Sequence, residues 1–128
     1  MTNEHILVIE DNEKNLKLAR DLLRFRGYRV SEARTAEEGL ALAAAEPPNL
    51  VLMDIQLPGM NGIQALQALR AQKATEKTPI IAFTASMMTQ DRSLIMKAGF
   101  DGVIFKPIVI REFCDYVAAV LAPIAKGN

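Results

Sequence analysis

Five short apolar runs, none longer than a β-strand, alternate along this chain with stretches whose apolar residues recur at helical spacing. That alternation leaves few folds open. Each helix carries the chain back to the end of the sheet where it began, so the strands pair in parallel and helices cover both faces. The runs fall at 5–9, 28–33, 50–53, 79–83 and 102–105. The second run alternates apolar and polar residues and so belongs nearer the sheet edge, whereas the third is uniformly apolar and reads as buried on both faces. Between the runs, Leu16, Ala19, Leu22 and Leu23 mark a first helix, with Gly27 as its C′ residue. Thr35 and Glu38 have capping-box spacing at the start of an alanine-rich second helix, which Pro47-Pro48 stops. Ile63, Leu66 and Leu69 mark one face of a third helix, which fades into the polar segment 73–78. A fourth helix begins at Ser86 or Thr89 and is stopped by Gly99. The last carries Ile110, Phe113, Cys114, Val117 and Leu121 on one face. The expected fold is a single α/β domain over residues 1–128, a doubly wound five-stranded parallel sheet.

Charge and composition remove several function classes. Fifteen basic side chains balance fifteen acidic ones, so no basic excess argues for nucleic acid or an anionic membrane. Nothing approaches the roughly 20 apolar residues of a membrane span, and the N-terminus lacks a signal peptide's layout. The single cysteine, Cys114, excludes an internal disulfide and fits a reducing compartment, so a cytoplasmic location is expected.

In open α/β sheets, ligands bind at the carboxyl ends of the strands. In this chain those ends are polar although the strand bodies are apolar: Glu10-Asp11 follows the first strand, Asp54 the third, Thr84 the fourth and Lys106 the fifth. Three carboxylates brought together repel, and a cation or protonation must relieve them. Mg²⁺ suits an all-oxygen set, whereas zinc would need His or Cys, absent from the pattern. A carboxylate beside Mg²⁺, with an ammonium and a hydroxyl to receive anionic oxygens, is an acceptor for a phosphoryl group. Thr84 and Lys106 are read as exposed strand ends whose truncation costs little stability.

At these residues the chain resembles the receiver domain of the two-component response regulators, from about Ile6 to Leu121. Four motifs match in order: Glu10-Asp11, the stretch from Met53-Asp54-Ile55-Gln56 through Leu57-Pro58-Gly59-Met60-Asn61-Gly62, then Thr84-Ala85, then Lys106-Pro107. The resemblance implies the flavodoxin-like strand order 2-1-3-4-5 and a phosphoryl group accepted by Asp54 from a histidine kinase or phosphotransfer protein. It implies Asp11 as main Mg²⁺ ligand, Glu10 acting mostly through water, and Asp54 with the backbone carbonyl of Gln56 completing the metal set. Thr84 and Lys106 would bind the phosphoryl oxygens, and the Lys106-Pro107 peptide would be cis. The implied product is a stand-alone, monomeric switch with no output domain, similar to a cell-cycle subgroup of the family. It would assist its own phosphorylation and dephosphorylation rather than turn over other substrates. Output would pass to a protein partner through the fourth helix, fifth strand and fifth helix. Two departures stand out: Val103 occupies a position where the family usually has Tyr or Phe, and Glu10 replaces the commoner Asp.

Other readings fit less well. A haloacid-dehalogenase-type phosphatase also uses a strand-end Asp with Mg²⁺, but its general-acid Asp would fall at Gln56. A flavodoxin-like cofactor binder would need a phosphate loop where Glu10-Asp11 would repel phosphate, and a docking-only receiver would not need the complete acceptor set. Cys114 reads as a packing thiol and His5 as a partly exposed structural residue. Arg20, Arg24 and Arg26 read as a solvated helix face that could equally dock a kinase. Met87 and Met88 are either core filling or a soft contact surface.

Overall fold

The structure is a computed structural model that describes residues 4–55, 60, 62–85 and 89–125, without the side chains of 89–92 and 123–125. Strands β1 (His5–Ile9), β2 (Arg29–Ala33), β3 (Leu50–Asp54), β4 (Ile80–Thr84) and β5 (Gly102–Phe105) alternate with helices α1 (Glu13–Phe25), α2 (Ala36–Ala45), α3 (Gly62–Ala71), α4 (Thr89–Ala98) and α5 (Ile110–Ala125). The strands form one parallel sheet in the order β2-β1-β3-β4-β5, as the alternation and the resemblance implied. Every residue of β1, β3 and β4 is buried, whereas β2, at the edge, is exposed at Arg29 and half-buried at Val30, Ser31 and Glu32. No helix among the described residues is long and apolar enough to cross a membrane.

Strand alternation divides the core in two. Ile6, Val8, Leu50, Leu52, Ile81 and Phe83 face one side, where α1 and α5 supply Leu16, Leu23, Phe113 and Val117. Leu7, Ile9, Val51, Met53, Ile80 and Ala82 face the other, covered by small and apolar residues of α2, α3 and α4. Cys114 is buried in the first layer, in keeping with a packing thiol.

Local signals set the helix ends. Asn12 Oδ1 accepts from Asn15 N–H at 3.0 Å and caps α1, while Gly27 closes it with φ 94°. Thr35 Oγ1 accepts from Glu38 N–H at 3.1 Å, and Glu38 Oε1 reaches back to the N–H of Arg34, one residue before the partner of a standard capping box.

Three expectations change. On α5, Ile110 is 55% exposed, whereas Phe113, Cys114, Val117 and Leu121 are buried in the core. His5 is buried, not partly exposed: its Nε2 lies 2.6 Å from Ser31 Oγ on β2, and its backbone pairs in both directions with Asn49. The polar segment after α3 is tightly tied. Thr75 is fully buried with Oγ1 donating to the Leu69 carbonyl at 2.6 Å, and Arg70 bridges the Thr78 carbonyl and Asp101. Asp101 Oδ2 also accepts from Ile80 N–H at 2.8 Å, which fixes where β4 starts.

Candidate functional site

Register brings the polar strand ends together. β1 and β3 pair Ile9 with Met53, so Glu10 and Asp54, each one residue further on, close adjacent strands. Asp54 pairs with Phe83 on β4, which puts Thr84 one residue beyond, and Thr84 pairs with Phe105, which puts Lys106 next along. The Lys106 N–H donates to the Thr84 carbonyl at 2.8 Å, and the Lys106-Pro107 peptide is cis.

Lys106 reaches back across β4 to the acids. Its Nζ lies 3.1 Å from Asp54 Oδ2 in a hydrogen bond and 2.5 Å from Glu10 Oε1 in an ion pair that lacks hydrogen-bond alignment. The ammonium also stands 4.9 Å above the Phe83 ring, a cation–π contact in a largely desolvated setting. Glu10 Oε2 accepts from Asn12 N–H at 3.0 Å, so the same residue steadies the turn into α1.

Burial contradicts the expectation of exposed strand ends. Asp54 is 6% exposed, Thr84 2%, and the Lys106 side chain 12%, whereas Asp11 is open to solvent. The cause is the fold: β3 and β4 are interior strands, and Lys106 lies down over them. Burial is also the main reason that the Glu10 carboxyl is pushed up to about 7; Lys106 and the Asn12 N–H oppose the shift, and Asp54 adds to it. Electrostatically the pocket is an acid cluster that holds one cation already.

Carboxylate oxygens of Glu10, Asp11 and Asp54 lie within 4.8 Å of one another. An all-oxygen set at that spacing fits a hard divalent ion such as Mg²⁺, which Asp11, open to solvent, could help to hold. Gln56, expected to lend its carbonyl, lies outside the described residues, as do Met87 and Met88. Sequence reasoning missed Asn12 and Phe83, and it placed Gly62 in the motif after Asp54 without its close contact to the Ile55 backbone. Asn12 carried a signal as an N-cap ahead of helical spacing, but Phe83 is located only by strand pairing.

Comparison with known proteins agrees with this geometry. Residues 6–118 match the model of the response regulator receiver domain. The chain is 37% identical over 116 residues to the polar-differentiation response regulator DivK of Brucella ovis, spanning 91% of this chain and 94% of that protein. Its fold superposes with a TM-score of 0.88 on the chemotaxis response regulator CheY4 of Vibrio cholerae, at 24% identity over 94% of this chain and all of that one. The receiver domain of the sensor histidine kinase PA1611 of Pseudomonas aeruginosa PAO1, solved with a magnesium ion coordinated in its active site cleft, matches with a TM-score of 0.87 and 30% identity, over 94% of this chain and 99% of that one.

Proposed function

The chain belongs to the response regulator receiver domain family, and from that premise we propose that it is a cytoplasmic phosphorylation switch whose acceptor is Asp54. One observation carries the reading: a buried carboxylate closes a central strand with two further acids within 4.8 Å and a lysine ammonium at 3.1 Å. An Asp54 carboxylate oxygen attacks phosphorus, the bond from phosphorus to the donor nitrogen of a phosphohistidine breaks, and its electron pair leaves with the imidazole. The donor is a histidine kinase or a phosphotransfer protein.

Asp11, Asp54 and, mostly through water, Glu10 would hold Mg²⁺ together with the Gln56 carbonyl, and the ion would supply positive charge for the anionic group being transferred. Lys106 exchanges its contact with Asp54 Oδ2 for a phosphoryl oxygen, and the Thr84 hydroxyl takes another. The same groups assist dephosphorylation by water. Output passes as a change in affinity for a protein partner at the face formed by α4, β5 and α5, with the chain itself monomeric. Acetyl phosphate with Mg²⁺ tests the acceptor: wild-type protein becomes labelled, while excess chelator or Asp54→Ala abolishes labelling. Equal labelling of the variant overturns the assignment.

A further inference from the structure

At the amino ends of β3 and β4, opposite the strand ends that carry Asp54 and Thr84, lies an open cleft of about 350 Å³. Pro48 and Asn49 line one side of it, and residues of the segment 73–79 line the other. That segment is polar and largely exposed, yet it is held at several points. Thr75, wholly buried, donates to the Leu69 carbonyl, Arg70 donates to the carbonyls of Glu76 and Thr78, and the Pro79 carbonyl accepts from the Val51 N–H at 3.0 Å. A wall fixed in this way can bind without first being ordered. Its lysines have no acid to answer them. Lys17, Arg20, Arg24, Arg29, Arg34 and Arg70 each meet a carboxylate of this chain, whereas Lys73 and Lys77 make no ion pair among the described residues. Glu76, the one acid in the lining, pairs with neither, so the cleft keeps a positive excess.

We propose that this cleft docks an acidic protein segment, whose carboxylates answer Lys73 and Lys77, and that it does so whether or not Asp54 carries a phosphoryl group. A volume above the about 150 Å³ that holds a benzene ring admits more than one carboxylate-bearing side chain. Pro48, Pro79 and Ala74 offer apolar surface for the methylenes of those side chains. Complementary charge at an exposed site steers encounter and rejects wrong partners more than it adds affinity, so the contact is weak, selective and sensitive to salt. Glu76 moderates it, because an acidic segment meets one like charge there. Independence from phosphorylation follows from distance: β3 runs from the cleft to Asp54, and its five residues span about 16 Å at about 3.3 Å each. A segment held at this end leaves the acceptor and the face formed by α4, β5 and α5 open. The cleft would act as a tether, a role separate from the switch and not dependent on it.

A fluorescent peptide alternating Glu and Ser, titrated into the full chain, tests this. Binding should saturate, weaken with added salt, and shift the methyl resonances of Ala74 and Thr78 but not those of Val103. Lys73→Glu combined with Lys77→Glu should lower affinity at least about tenfold, while Lys97→Glu, exposed on α4, should change it by less than about twofold. Glu76→Gln should raise it. A peptide with Lys in place of Glu should bind the doubly reversed variant and not the wild type. Affinity should be equal with and without beryllofluoride. All four side chains are exposed, so the variants should keep the wild-type denaturation midpoint. Absent or unsaturable binding, an equal loss on Lys97→Glu, indifference to the double reversal, or an affinity that changes with beryllofluoride would overturn the proposal. Tighter binding of a deoxythymidine oligonucleotide of equal charge, lost on the same double reversal, would assign the cleft to phosphate and overturn it too. Labelling by acetyl phosphate keeps the two claims apart: intact labelling with failed docking leaves Asp54 as acceptor, and absent labelling of the wild type refutes the acceptor while leaving the cleft to the peptide.

Discussion

The Gly62 N–H donates to the Ile55 carbonyl at 2.9 Å, and a Cβ on Gly62 would stand 2.6 Å from Ile55 Cα and 2.9 Å from the Asp54 carbonyl. The first residue of α3 is therefore pressed against the backbone that carries Asp54. Backbone yields less readily than a side chain. Gly62→Ala should cost about 1–3 kcal/mol of stability, typical of overpacking, and should slow labelling by acetyl phosphate. Chemical denaturation and labelling time courses check it; wild-type labelling with lowered stability would show that the displacement is absorbed away from Asp54.

Thr75→Val keeps the shape and removes the hydroxyl that the Leu69 carbonyl accepts from at 2.6 Å. A buried carbonyl left without a donor costs about 1–3 kcal/mol. The denaturation midpoint should fall by that measure, with no change in labelling, because the contact lies at the C-terminal end of α3, away from Asp54.

These two residues mark where the sequence stopped being legible. Strand runs and strand-end acids were readable because each is a local pattern: Leu50 to Asp54 is apolar and then abruptly charged. That Asp54, Glu10-Asp11, Thr84 and Lys106 stand at neighbouring strand ends was readable for the same reason. The burial of Thr84 and Lys106 was not, since it depends on how far a side chain lies back over neighbouring strands. His5 was misread because Ser31 and Asn49, its partners, come from β2 and the start of β3's approach. The segment 73–78 read as fading polarity because its order comes from Arg70 and Asp101, 31 residues apart.

Lys106→Ala now carries a larger expected cost than an exposed strand end would. It leaves Glu10 and Asp54 buried without their counter-charge, and removing one partner of a buried pair costs about 3–5 kcal/mol. Millimolar Mg²⁺ should return part of that loss by neutralising the same acids. Urea midpoints with and without Mg²⁺ check it, and an unchanged midpoint in chelator would show that Lys106 stabilises nothing.

His5 titrates below its ordinary range, chiefly through burial; Arg29 pushes the same way, while Glu46 opposes it. Folding thus favours the neutral ring. The stabilisation is present above pH 6.5, the ordinary value, and is lost as pH falls through the lower folded value. Between about pH 7.5 and pH 5.5 the wild type should lose more stability than His5→Gln, which has no proton to gain. Parallel pH profiles for the two would contradict this.

Activation should leave β5 quiet. Val103 and Phe105 are both half-buried and wall the same cavity, and valine offers less area and swing than an aromatic ring. Burying a Phe-sized side chain is worth roughly 1.5–3 kcal/mol, against the about 5.5 kcal/mol that inverts a 1:99 population. With beryllofluoride as phosphoryl mimic, the Thr84 amide and the start of α4 should shift more than the Val103 methyls. A rotamer change at Val103 or Phe105 with an unmoved Thr84 would refute it.

The ion pair from Lys106 to Glu10 joins the residue after the first strand to the residue after the last, and the bond to Asp54 spans 52 residues. Contacts between such distant parts of a chain form only after the intervening loops are closed, so they come late in folding. Until β5 has added to the sheet, Glu10 and Asp54 face each other with no lysine between them, and an incompletely folded chain carries a repelling acid pair where the native one carries a neutralised pocket. The charge balance of the pocket is thereby tied to completion of the sheet.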